Sequence, residues 1–136
     1  MKIQQQKNSN KGSSGKKLRF PADLLSPIGD FLSTQIKKLE TRKKRLEAED
    51  PFADDERLNT SAAIDAEAAE QFGHVRISAL KRDVDRKIIQ IRKALSRVRI
   101  GKYGICEKCG RMIDTDRLTV YPEATLCVSC EKKRER

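Results

Sequence analysis

The sequence predicts a mainly α protein: an antiparallel coiled-coil helical hairpin followed by a small four-cysteine module that ends in a helix. Two observations predict the hairpin. Leu25, Leu32, Leu39 and Leu46 recur every seven residues, and so do Ile77, Val84, Ile91 and Val98, with Asp50-Pro51 between the two series. Seven-residue apolar spacing keeps one seam of a helix facing a partner. The third observation is composition. Of 136 residues, 37% are charged, 37% hydrophobic and only 4% aromatic, with no Trp. Such a chain builds thin seams rather than a thick core, which argues against a large enclosed substrate pocket.

Residues 1–17 are Gln, Asn, Ser, Gly and Lys with almost nothing to bury. A disordered basic tail is expected there. No apolar stretch near Met1 has the length of a secretory signal, and no run reaches the roughly 18 residues of a membrane span. Residues 18–100 are expected to form an N-terminal segment and the hairpin. Ser26 looks like an N-cap with Pro27 at the first helical position, where its missing N–H costs nothing. The first helix is therefore placed at about 27–49. It ends at Asp50, because a residue before proline is pushed out of the helical region.

An acidic tip loop is expected over 50–60. Thr60 or Ser61 then caps a second helix, about 61–99, with Asp65 and Glu67 near its start, where the helix dipole favours acids. Gly73 is its one weak point. Leu80, Ile88 and Leu95 fill the alternate seam positions. Facing Leu46 with Ile64, Leu39 with Phe72, Ile36 with Val75, Leu32 with Ile77 and Leu25 with Val84 gives one self-consistent antiparallel register. In that register Ile88, Ile91, Leu95 and Val98 outrun the first helix, leaving the C-terminal module and the segment from Leu18 to Leu24 to cover them. Pairing between two chains is the competing geometry.

Charge follows this plan. The net charge is +10, with +6 in residues 1–20, −5 in residues 51–75 and +7 in residues 76–100. The acidic zone falls at the tip and the basic zone on the lower second helix.

Cys106, Cys109, Cys127 and Cys130 all lie in residues 101–136 as two Cys-x-x-Cys pairs. Their separation suits a tetrahedral zinc site, so this segment reads as a C4 zinc finger with a C-terminal helix. Gly104 and Gly110 suit the turns around the first pair. Lys108, Arg111, Lys132 and Lys133 can offset the charge of four thiolates. Disulfides, a redox pair and an iron–sulfur centre are weaker readings. Four protein thiolates leave no open position for water, so one Zn²⁺ here is structural. The lone His74 is expected on the hairpin surface or its seam, not as a ligand. No nucleophile triad or phosphate-binding glycine loop occurs, so no enzyme is expected.

The string Gly101-Lys-Tyr103-Gly104-Ile-Cys106-Glu-Lys-Cys109-Gly110, with Ile113, Arg117-Leu118, Pro122 and Leu126-Cys127-Val-Ser-Cys130, resembles the zinc finger of the DksA/TraR family of bacterial transcription regulators. The resemblance is good over about residues 60–133 and looser over 20–50. It implies a non-enzymatic, cytoplasmic regulator whose hairpin enters the secondary channel of RNA polymerase to modulate initiation. Guanosine tetraphosphate is an implied co-effector, and direct DNA contact is expected to be weak or absent. A monomer without membrane attachment is expected. The family's acidic tip reads Asp-x-x-Asp-x-Ala. Here Asp65 takes the second acidic position, Ala62 stands at the first, and Glu67 replaces the alanine, so Asp65 and then Glu67 are the tip candidates. The alternative reading is a zinc-dependent nucleic-acid-binding protein that uses its basic tail and second helix.

Overall fold

The computed structural model describes residues 20–53 and 64–136. The expected tail over residues 1–17, and most of the tip loop with the Thr60 or Ser61 cap and Ala62, lie outside the described residues. Among the described residues four helices follow in order: α1 (Ala22–Glu49), α2 (Ile64–Arg99), α3 (Thr115–Val120) and α4 (Val128–Glu135). The first two form the antiparallel hairpin, and the last two belong to the cysteine module.

α1 begins five residues earlier than the sequence suggests. The Pro21 carbonyl accepts from the Leu24 and Leu25 amides at 3.0 and 3.2 Å, closing the first turn there, and Pro27 lies inside the helix. An interior proline costs about 3 kcal/mol or more. The longer helix offsets this by carrying Leu25 and Ile28 onto the core shared with the zinc finger. The other end agrees with the sequence: α1 stops at Glu49, and Asp50 before Pro51 is extended (φ −66°, ψ 123°).

The seam residues are those the spacing selects. Leu32, Leu46, Ile77, Val84, Ile88 and Ile91 are buried, and Leu25, Leu39, Leu80, Leu95 and Val98 are partly buried against them. The register differs. Leu39 and Leu46 pack with Ile77, Val84 and Ile88, and Leu32 packs with Ile91 and Ala94. Ion pairs along the flanks agree: Glu47 with Lys81, Lys43 with Asp85 and Glu40 with Arg92. Relative to the expected pairing, α2 is slid by about two heptads. A heptad seam matches itself after such a slide, so periodicity alone cannot choose. Phe72 and Val75, expected on the seam, are instead 78% and 61% exposed. Ile91, Leu95 and Val98, expected to lie beyond α1, are covered by α1 and the finger together: Gly29 sits opposite Leu95 and Val98.

The slide has a consequence at the tip. Asp50, at the end of α1, faces His74, so residues Ile64 to Gly73 of α2 extend past α1. That extension is roughly 14 Å at about 1.5 Å per residue. Gly73 is no casual weak point. A Cβ there would stand 3.0 Å from the Pro51 ring, so the glycine lets the turn close against α2.

Candidate metal centre and hairpin tip

The first Cys-x-x-Cys is bent by its own backbone. The Cys106 amide donates to the Arg111 carbonyl at 2.8 Å, and the Gly110 amide donates back to the Cys106 carbonyl at 2.9 Å. Gly110 takes φ +70°, and Gly104 before the pair takes φ +77°, both in the left-handed region that glycine adopts freely. The second pair opens α4: Cys127 is the N-cap residue, and its carbonyl accepts from Glu131 N at 2.9 Å. The Glu107 amide, donating to the Thr125 carbonyl at 3.0 Å, ties one pair to the other.

This backbone brings the Sγ atoms of Cys106, Cys109, Cys127 and Cys130 within 4.8 Å of one another. Cys109 and Cys127 sulfurs are 3.7 Å apart. A tetrahedron with Zn–S of about 2.3 Å has edges of about 3.8 Å, so the donor set fits one zinc ion. The acidities point the same way. Burial raises the Cys106 thiol, but backbone amides of Cys109, Cys127 and Lys108 outweigh it and bring the group down to about 6. Cys130, facing the Cys127 sulfur and partly shielded from water, is pushed up to about 12. Four crowded thiols cannot all ionise alone, and a divalent cation removes that conflict. Of the expected charge partners, Arg111 bonds to the Cys109 sulfur, which helps hold it as thiolate. All four donors are protein sulfurs, so the zinc is structural.

The finger is locked to the hairpin. Ile113, Leu126, Tyr103 and Cys106 share one buried cluster with Leu32, Ile91 and Ala94. The Tyr103 hydroxyl donates to the Pro122 carbonyl at 2.7 Å, and burial pushes its pKa up to about 12. Three polar side chains of α2 also reach across. Gln90 donates to the Glu123 carbonyl at 2.8 Å, Lys93 pairs with Glu107 at 2.7 Å, and Arg97 donates to the Ile105 carbonyl at 2.8 Å. Sequence reasoning missed these three. Their signal is the i, i+3, i+7 spacing of long polar residues beside the apolar seam, which places them on one side of the helix.

At the other end, Asp65 and Glu67 sit exposed in the first turn of α2. They are far along the chain from the metal donors, and the hairpin places the two features at opposite ends of α2. His74 lies on the hairpin surface, as expected, and pairs with Asp50.

The fold and donor set define a C4 zinc-finger protein built on a helical hairpin. Residues 101–136 match the prokaryotic dksA/traR C4-type zinc finger. The chain is 35% identical over 82 residues to the RNA polymerase-binding transcription factor DksA of Escherichia coli K12, covering 60% of this chain and 53% of that one. It is 45% identical over 56 residues to the factor of the same name from Caulobacter vibrioides, covering 40% of this chain and 39% of that one. The matched region thus spans about half or less of these relatives. The fold is similar to that of transcription factor DksA2 from Pseudomonas aeruginosa, with a TM-score of 0.69, 23% identity, and 85% and 86% of the two chains covered. Residues 101–136 thus carry a zinc finger of the dksA/traR C4 type, and the chain is similar over part of its length to factors named DksA.

Proposed function

We propose that this protein is a non-enzymatic bacterial transcription regulator that binds RNA polymerase, with its hairpin tip entering the secondary channel to modulate initiation. The observation that carries the reading is the tip: the first turns of α2, bearing exposed Asp65 and Glu67, extend beyond the end of α1. The zinc finger clamps the opposite end of the rod. A narrow, stiff projection with acids at its end suits delivery of negative charge into a protein channel. The relatives named as RNA polymerase-binding factors support the partner.

The seams are filled within one chain, which supports a monomer. Among the described residues no helix is long and apolar enough to cross a membrane, and a cytoplasmic location is part of the proposal. Co-action with guanosine tetraphosphate is its finest detail. The groove between α2 and the finger sets Arg86, Lys87, Arg117 and Arg134 against Asp83, Glu123, Glu131 and Glu135, so it attracts a polyphosphate only weakly.

Retention of purified RNA polymerase on the immobilised zinc-loaded protein tests the reading. Retention is expected with zinc and is expected to fall after chelation. No retention by the zinc-loaded protein contradicts it.

A further inference from the structure

We propose that the outward face of α1 is a contact surface for the phosphate backbone of duplex nucleic acid, bound without sequence preference. Sequence reasoning placed any such contact on the basic second helix. The structure points to α1 instead. On α2, Lys81, Arg86, Arg92 and Lys93 are in ion pairs, Arg97 is held by a backbone carbonyl, and the exposed Arg76, Arg82, Lys87 and Arg99 are spread over roughly 35 Å of helix at about 1.5 Å per residue. On α1, Lys37, Lys38, Arg42, Lys44 and Arg45 are exposed, and among the described residues none of them forms an ion pair. Of the nearby acids, Glu40 pairs with Arg92 at 2.8 Å and Glu47 with Lys81 at 3.6 Å, which leaves the exposed Glu49 at the end of α1 against five cations.

These five cations lie within roughly 12 Å of helix at about 1.5 Å per residue. Lys37, Lys38, Arg42 and Arg45 line one open groove of about 620 Å³ with Thr34, Thr41 and one acid, Glu49. Both threonine hydroxyls donate to carbonyls of their own helix, Asp30 and Lys37, so they are turned inward. The outward donors are ammonium and guanidinium groups, held on a helix that is packed along its length.

The kind of partner follows from what the face lacks. Protein interfaces centre on a buried aromatic or aliphatic anchor. The only apolar residue at this groove, Leu46, is 7% exposed and already packed in the seam. Dense positive charge without an anchor matches a polyanion of high linear charge density, and a duplex carries about one charge per 1.7 Å. Ammonium and guanidinium groups spread along an open helix face bind phosphate oxygens, and phosphate contacts carry no sequence information.

The test uses the full zinc-loaded chain and a fluorescent 20-base-pair duplex (a length on the order of a few helical turns), titrated from about 50 to about 200 mM salt. One variant combines Lys37→Gln, Lys38→Gln, Arg42→Gln and Arg45→Gln. A control removes the same charge from the N-terminal segment with Lys2→Gln, Lys7→Gln, Lys11→Gln and Lys16→Gln. Helicity and zinc content confirm that both fold. The α1 variant is expected to lose about tenfold or more in affinity at low salt, and the slope of log K against log salt to fall by about 3.6. The control is expected to retain most of the binding. An α1 variant that binds like wild type, or a wild type that does not bind duplex, overturns the proposal. So does loss of polymerase retention in the α1 variant with no duplex binding by either protein, which assigns the face to an acidic protein surface.

Discussion

His74 Nδ1 lies 2.8 and 3.0 Å from the two carboxylate oxygens of Asp50, joining the first residue beyond α1 to the third turn of α2. The same carboxylate accepts from the Phe52 amide at 3.0 Å, and the Phe52 ring packs on the imidazole at 4.6 Å between centroids. This small cluster marks where α1 ends beside α2.

The Asp50 pair gives a prediction about pH. The hydrogen bond from His74, then that from the Phe52 amide, holds the carboxyl below its ordinary value of 3.8. A lowered carboxyl stabilises the fold above its unfolded value and loses that contribution as pH falls through the folded one. Asp50→Ala is expected to melt a few degrees lower than wild type at neutral pH. The gap is expected to narrow only as pH falls through the folded value, which lies below 3.8, where the native Asp50 takes up its proton. A gap that persists unchanged in acid contradicts the assignment.

Zinc removal should act on both ends of one core. Structural zinc is worth about 10–16 kcal/mol of binding free energy in finger peptides. The finger shares its buried cluster with Leu32, Ile91 and Ala94. Chelation, or Cys106→Ser, is therefore expected to unfold residues 101–136 and to speed amide exchange near Ile91. Exchange around Ile77 and Val84, in the separate tip-side cluster, should change much less. Uniform exchange along α2 contradicts the two-cluster description.

Packing and backbone can be separated at the joint. Ile113 is 1% exposed, and Ile113→Ala should cost about 2–5 kcal/mol in denaturant unfolding. Gly104→Ala acts differently. Its φ is +77°, and an added methyl would overlap the Phe20 ring. A cost of about 1–3 kcal/mol is expected from the backbone alone, with the overlap adding to it. In a Phe20→Ala background the overlap disappears, so Gly104→Ala should cost less there than in wild type. Equal costs in the two backgrounds contradict the contact.

Much of this was legible in residue order. The seven-residue series named the buried seam, and Cys-x-x-Cys spacing named the metal donors. Two things were not legible, for physical reasons. Helical register is degenerate for a heptad pattern, so Leu39 could face Phe72 or Ile88 equally well. The choice was made by features outside the pattern: the Asp50–His74 closure, the flanking ion pairs and the finger's grip on Gln90, Lys93 and Arg97. The start of α1 was misplaced because Pro27 is a strong local signal, while the burial of Leu25 and Ile28 against a module some 80 residues away is tertiary.

The central claim is that a tip carrying Asp65 acts inside RNA polymerase while the rest of the rod holds it there. The most direct measurement is the lifetime of promoter open complexes with purified polymerase, comparing wild type with Asp65→Asn under conditions where both are confirmed to be bound. The account predicts that wild type changes the lifetime and that Asp65→Asn binds comparably but loses most of that change. Equal lifetimes with the two proteins bound would contradict it.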